Sequence, residues 1–114
     1  MVVGAPPKDG YLFVAGTRPE AVKLAPIILA LRVQGGAAVL VATGQHRHLF
    51  HEALAGFGLV ADIDFDVMQE CQSPADVFGV LVPLLAAEFS RRRPAAIVVQ
   101  GDTASAFAGA VAAN

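Results

Sequence analysis

Three short apolar runs punctuate the chain: Tyr11-Leu-Phe-Val-Ala15, Ala37-Ala-Val-Leu-Val-Ala42 and Ala95-Ala-Ile-Val-Val99. Runs of this length that are apolar at every position predict strands covered on both faces, as in a parallel sheet. Asp62 to Val67 alternates polar and apolar residues instead, which predicts a weaker strand nearer an edge. Between these runs apolar residues recur at helical spacing. Leu49, Phe50, Ala53, Leu54 and Phe57 form one such stripe, and Phe78, Leu81, Val82, Leu85 and Phe89 another.

The predicted helices carry start and stop signals. Thr17-Arg18-Pro19-Glu20 supplies a Thr N-cap, a Pro in the first turn and a Glu three residues after the cap. That helix should run to about Gln34, stop at Gly35-Gly36, and kink at Pro26. Gly58 closes the second helix. Ser73-Pro74 opens the third, and Arg91-Arg92-Arg93 followed by Pro94 ends it, with the cations placed favourably for the helix dipole. A fourth helix of small residues begins near Thr103. Strands alternating with helices imply right-handed crossovers. The fold class is therefore α/β: an open parallel Rossmann-like sheet flanked by helices, in strand order 3-2-1-4. Because such sheets ordinarily continue past a fourth strand, the Rossmann-like sheet over residues 11–114 looks cut off, and residues 1–10 read as a short tail.

Composition narrows this only a little. A length of 114 residues bounds the chain to one domain. With 55% hydrophobic and 16% charged positions it is not a disordered sequence. No window offers the roughly 18 apolar residues of a membrane span, and the N-terminal residues lack the apolar core of a signal peptide, so no membrane partner is expected. The single Cys71 rules out an intramolecular disulfide framework and points to a reducing compartment. A formal net charge of −2 argues against nucleic acid as a partner.

Ligands of open α/β sheets bind at the carboxyl ends of the strands, where the strand order reverses. That point lies between the first strand and the one ending at Val99, and it brings together Gly16-Thr17-Arg18-Pro19-Glu20 and Gln100-Gly101-Asp102-Thr103. Both loops lead into helix N-termini, which attract anions. Arg18 adds a guanidinium suited to phosphate and Lys23 a second cation; alternatively the pair is a solvated helix start, with an ion pair to Glu20. Asp102 is either a general acid or base or the N-cap of the fourth helix, and the two roles are compatible. Neither Gly-x-Gly-x-x-Gly nor Gly-x-x-x-x-Gly-Lys-Ser/Thr occurs, which removes dinucleotide binding and P-loop chemistry from the obvious readings. His46, His48 and His51 suggest a zinc motif, but Phe50 stands where that motif has an acid, so no metal is assigned. Asp62, Asp64 and Asp66 share one strand face and read as solvated, and Cys71 reads as inert.

At this level of detail a family resemblance emerges. Gly16-Thr17-Arg18-Pro19-Glu20-Ala21-Val22-Lys23-Leu24-Ala25-Pro26 closely resembles the opening motif of the non-hydrolysing UDP-N-acetylglucosamine 2-epimerases. Thr43-Gly44-Gln45-His46-Arg47, Asp66-Val67-Met68 with Gln72-Ser73, and Gly101-Asp102-Thr103 follow in matching order and spacing. The resemblance implies a glycosyltransferase-B-type fold, of which residues 11–114 are an incomplete N-terminal Rossmann-like domain, without the second domain. It also implies a cytoplasmic isomerase that converts UDP-GlcNAc to UDP-ManNAc by elimination and re-addition of UDP, without a cofactor. By the same resemblance Asp102 is a catalytic carboxylate, and Arg18, Lys23 and Thr103 contact the substrate. Gln45, His46 and Gln72 line a second, allosteric UDP-GlcNAc site, and the family forms dimers.

The family's run of Thr after Asp102-Thr103 is replaced by Ala104-Ser105-Ala106, and its next motif, Val-Glu-Ala-Gly-Leu-Arg, has no counterpart. The expectation is a fragment inactive by itself, prone to self-association through an unpaired sheet edge. The alternative is a module that binds a sugar nucleotide or a partner without chemistry.

Overall fold

The computed structural model describes residues 10–67 and 73–114. The elements follow in strict alternation: β1 (Tyr11–Ala15), α1 (Arg18–Val33), β2 (Ala38–Ala42), α2 (Arg47–Gly56), β3 (Ile63–Asp64), α3 (Pro74–Arg92), β4 (Ala96–Val98) and α4 (Ala104–Ala112). All pairings are parallel and the sheet order is β3-β2-β1-β4, as the sequence pattern predicts. Tyr11 lies opposite Ala38 on one side and Ala96 on the other, so β1 is a central strand.

The parity of β1 sorts the core into two layers. Phe13 and Ala15 face α1 and α2, packing with Leu24, Ile28, Phe50 and Leu54. Leu12 and Val14 face the other side, with Val77, Leu81 and Leu85 of α3 and Ala108 of α4. These side chains are almost completely removed from water, which is why β1 and β2 must be apolar at consecutive positions. No helix among the described residues is long and apolar enough to cross a membrane.

The N-caps follow from local chemistry. Ser73 Oγ accepts from the Asp76 amide at 3.1 Å, and Pro74 begins α3 where a missing N–H is harmless. Arg93 then ends α3 in the left-handed region, at φ 48°, just before Pro94. α1 runs through Pro26 and α3 through Pro83 as single helices.

Several boundaries differ from expectation. Gly10 is not tail: it is buried at φ +66°, its carbonyl accepts from the Ala95 amide, and an added Cβ would lie 2.1 Å from the Ala37 carbonyl oxygen. The rest of the expected tail lies outside the described residues, as do Met68, Cys71 and Gln72. The strand expected over Asp62–Val67 shrinks to Ile63–Asp64, and just before its start Asp62 Oδ2, rather than a strand carbonyl, takes the Leu40 N–H at 2.7 Å. The face carrying Asp62 and Asp64 is also more occupied than a solvated face. Asp62 receives Arg32 at 3.2 Å, while Asp64 receives Arg47 at 2.9 Å and has His51 Nε2 at 3.1 Å.

Candidate active site at the carboxyl ends of the strands

The loops that follow β1, β2 and β4 meet above the carboxyl edge of the sheet, and buried hydrogen bonds stitch them together. Glu20, in the first turn of α1, turns inward and is 1% exposed. Its Oε1 accepts from the Gly16 and Thr17 amides, both at 2.9 Å, and from Thr17 Oγ1 at 3.0 Å. Its Oε2 accepts from Thr103 Oγ1 at 2.6 Å, crossing from the β1 loop to the β4 loop. The second stitch joins the β2 loop to the start of α4. Thr43 Oγ1 and Ser105 Oγ lie 2.8 Å apart, and Gln45 Oε1 accepts from Ser105 Oγ at 2.7 Å. The His46 amide donates to the Gly16 carbonyl at 2.9 Å, so all three loops share partners.

Gly16 makes this convergence possible. A Cβ there would stand 1.8 Å from Thr43 Oγ1 and 2.8 Å from Ser105 Oγ. Its backbone is not in the left-handed region, so what it supplies is space.

The groups that could act on a ligand lie outside this stitching. Arg18 is exposed on the first turn of α1, beside a groove of about 270 Å³ walled by Val22, Leu49, Glu52 and Ala53. Lys23 is exposed one turn further along. The ion pair considered between these cations and Glu20 does not form, because the Glu20 carboxylate is turned into the loop junction. Asp102 is exposed and makes no hydrogen bond to another described residue. It borders a cavity of about 450 Å³ between α3 and α4, with Pro74, Phe78, Thr103 and Phe107. Phe78 and Phe107 stack there, their ring centroids 5.0 Å apart. Arg18 and Asp102 thus open onto separate depressions on either side of the junction.

Asp102 is not the N-cap. Thr103 caps α4, its Oγ1 accepting from the Ala106 amide at 3.1 Å, which leaves the Asp102 carboxylate available for chemistry. Thr103 Oγ1 also donates its proton to Glu20. Gln45 spends its carbonyl oxygen inside the junction, whereas His46 is exposed at the N-cap of α2; Gln72 lies outside the described residues. His51 and Arg47 converge on Asp64, and His48 Nε2 lies 3.4 Å from Glu52. No group of three His, Cys, Asp or Glu among the described residues is arranged to hold a metal. From sequence Glu20 reads as a helix-start residue or an ion-pair partner of Arg18 and Lys23, and neither Thr43 nor Ser105 reads as a site residue. The Thr17-x-x-Glu20 spacing signals the local half of the Glu20 network, and nothing local signals its reach to Thr103.

A parallel, doubly wound sheet with polar loops and helix N-termini gathered at its carboxyl edge defines a Rossmann-like α/β protein with its ligand site on that edge. Comparison with known proteins narrows the class. The model of the UDP-N-acetylglucosamine 2-epimerase family matches residues 30–114, and the chain belongs to that family. The UDP-N-acetylglucosamine 2-epimerase of Bacillus subtilis is 36% identical over 101 residues, covering 88% of this chain and 27% of the relative. That of Neisseria meningitidis serogroup A is 36% identical over 103 residues, covering 90% of this chain and 28% of the relative. The crystal structure of UDP-GlcNAc 2-epimerase from Neisseria meningitidis bound to UDP-GlcNAc superposes with a TM-score of 0.82 at 34% identity, covering 91% of this chain and 29% of that one. These enzymes have the glycosyltransferase-B-type fold, of which the chain covers a part. The chain therefore spans a little over a quarter of the length of the relatives it matches.

Proposed function

We propose that the chain supplies the N-terminal, loop-bearing part of a UDP-N-acetylglucosamine 2-epimerase, an isomerase that interconverts UDP-GlcNAc and UDP-ManNAc. In the forward direction a base removes the C2 proton and the C1–O bond to UDP breaks, giving 2-acetamidoglucal and UDP. Return of UDP to C1 and of a proton to the opposite face of C2 completes the inversion. Proton and leaving group are both given back, so the chemistry as written needs no cofactor. C2 has no adjacent carbonyl to acidify its proton, so catalysis must come from a placed acid/base group and from stabilising the charge that grows on departing UDP. Asp102 takes the first role. Arg18 and Lys23 take the second at the diphosphate, and Thr103 contacts the substrate from the loop that carries Asp102. Gln45, His46 and Gln72 border a second, activating UDP-GlcNAc site.

The observation that carries this reading is the junction itself. Two loops remote in sequence, one bearing Arg18 and the other Asp102, are hydrogen-bonded to a single buried carboxylate. On this reading the uridine-binding surface belongs to a second domain, and the remaining acid/base groups, the Glu of the family's next motif among them, lie outside these 114 residues. The 114 residues alone then bind but do not turn over. The enzyme is a cytoplasmic homo-oligomer, a dimer as in the family.

The test is a chimera in which this chain replaces the matching segment of the Bacillus subtilis relative, incubated with UDP-GlcNAc in deuterium oxide. Deuterium at C2 is expected with the chimera, is lost in its Asp102→Asn variant, and is absent with the 114-residue chain alone. A folded chimera that binds UDP but exchanges nothing would overturn the catalytic reading in favour of a binding module. Exchange by the short chain alone would overturn the reading that acid/base groups outside these 114 residues are needed. An NMR titration of the chain with UDP, which should shift the Arg18 and Thr103 amides and fail in Arg18→Ala, covers the case of a chimera that does not fold.

A further inference from the structure

Glu20 is buried far more deeply than helix capping requires. Capping the start of α1 needs one carboxylate oxygen on the Thr17 amide, a contact that a solvated Glu makes equally well. Here both oxygens are taken out of water, no described cation pairs with them, and every contact is a donor: two amides and a hydroxyl of the β1 loop on Oε1, and the Thr103 hydroxyl on Oε2. A buried charge is tolerated when hydrogen bonds satisfy it this fully. Thr103 is committed in turn. Its proton goes to Glu20 and one lone pair accepts the Ala106 amide, so it has no proton left for a phosphate oxygen.

We propose that Glu20 is a positioning residue, acting through Thr103 to hold the Arg18 loop and the Asp102 loop at a fixed separation. Arg18 lies two residues before Glu20, and Asp102 immediately precedes Thr103. The single bond between Glu20 Oε2 and Thr103 Oγ1 closes 83 residues of chain and couples the phosphate-side cation to the acid/base carboxylate. The assignment rests on the proposed function, and it recasts Thr103 as a strut between loops rather than a direct ligand of the substrate. A glutamine at position 20 has one acceptor oxygen where the carboxylate has two. If that oxygen stays on Gly16 and Thr17, the amide group faces Thr103 and the donor direction of the strut reverses.

The experiment uses the 114-residue chain, with UDP as the probe, and compares Glu20→Gln, Thr103→Val and Thr103→Ser. Two readouts are taken: the UDP dissociation constant, and amide hydrogen exchange at Gly16, Thr17 and Ala106. Loosening a preorganised site should weaken UDP binding about tenfold in Glu20→Gln and in Thr103→Val. Thr103→Ser, which keeps the hydroxyl, should restore affinity to within about twofold. Glu20→Gln should also speed exchange at Ala106, on the other loop. Variants that lower thermal stability while binding UDP as the parent chain does would reduce Glu20 to a structural role and overturn the proposal. If the parent chain binds no UDP, the functional reading fails by itself and exchange at Ala106 judges the strut: faster exchange in Glu20→Gln upholds it, and unchanged exchange refutes it.

Discussion

Replacing Gly16 by Ala tests how tightly the loop junction is built. The new methyl would stand 1.8 Å from Thr43 Oγ1, 2.8 Å from Ser105 Oγ and 3.2 Å from Gln45 Cβ. Thr43 and Ser105 are both fully buried, so neither hydroxyl has solvent to retreat into. Forcing a methyl into a packed interior costs about 1–3 kcal/mol. Pushing Thr43 off Ser105 leaves the buried Thr43 hydroxyl proton without its acceptor, which costs about 1–3 kcal/mol more. The two penalties overlap, because relieving the clash is what breaks the bond, and together they amount to about 2–4 kcal/mol. For a domain near 100 residues each kcal/mol moves Tm by roughly 4–8 °C, so Gly16→Ala should melt about 10–25 °C lower. Thermal unfolding followed by far-UV circular dichroism measures this directly. The double variant with Thr43→Ala isolates the cause: with the obstructing hydroxyl gone, Gly16→Ala should cost at least about 1 kcal/mol less than it does in the parent chain. A Gly16→Ala protein melting within a few degrees of the parent, or a strictly additive double variant, would refute the reasoning.

Three further outcomes follow from particular contacts. Asp102→Asn should leave stability within about 0.5 kcal/mol of the parent, as a surface substitution does, because Thr103 performs the capping; a large drop in the urea midpoint would show that Asp102 is structural. Asp62→Ala removes the acceptor of the Leu40 amide and should cost about 1–2 kcal/mol. Arg32→Ala breaks only the exposed half of the same cluster and should cost under about 1 kcal/mol, so equal losses in urea denaturation would contradict this division. At Glu88, burial pushes the carboxyl pKa up, but hydrogen bonds from Arg91 and Arg92 outweigh it and hold the group below its ordinary value. A depressed folded pKa means that the stabilisation is present at neutral pH and is lost as the pH falls through that lowered value. Glu88→Gln should therefore cost about 0.5 kcal/mol at pH 7 and nothing in acid, where an equal loss in both conditions would count against the ion pairs.

What the sequence discloses and what it withholds divide along a physical line. The parity of Leu12 and Val14 against Phe13 and Ala15, and the helical stripe through Leu81, Leu85 and Phe89, are periodic signals, and periodicity is enough to sort a chain into a layered α/β sheet. Caps are legible when one residue can serve, as at Ser73. They are ambiguous when two candidates stand together, as at Asp102 and Thr103, because the choice depends on which side chain reaches the Ala106 amide. The long-range polar contacts leave no periodic trace. Arg32 meets Asp62 across 30 residues, Thr43 meets Ser105 across 62 and Glu20 meets Thr103 across 83, and each depends on the finished sheet bringing separate loops together.

This division also bears on why the junction sits where it does. Strand ends at the carboxyl edge of a parallel sheet leave loops that the strands themselves do not order, while a ligand site built on them requires groups held to within a fraction of an ångström. Here the order comes from side chains with no exposure left for a ligand: Glu20, Thr17, Thr43 and Ser105 are all buried. The groups with reactive or charged ends, Arg18, Lys23 and Asp102, are exposed on the same loops and helix starts. Support and reactivity are thus carried by different residues within a few positions of one another. That separation predicts opposite signatures: variants of the buried set lower stability and loosen the site, and variants of the exposed set remove function from a fold that stays intact.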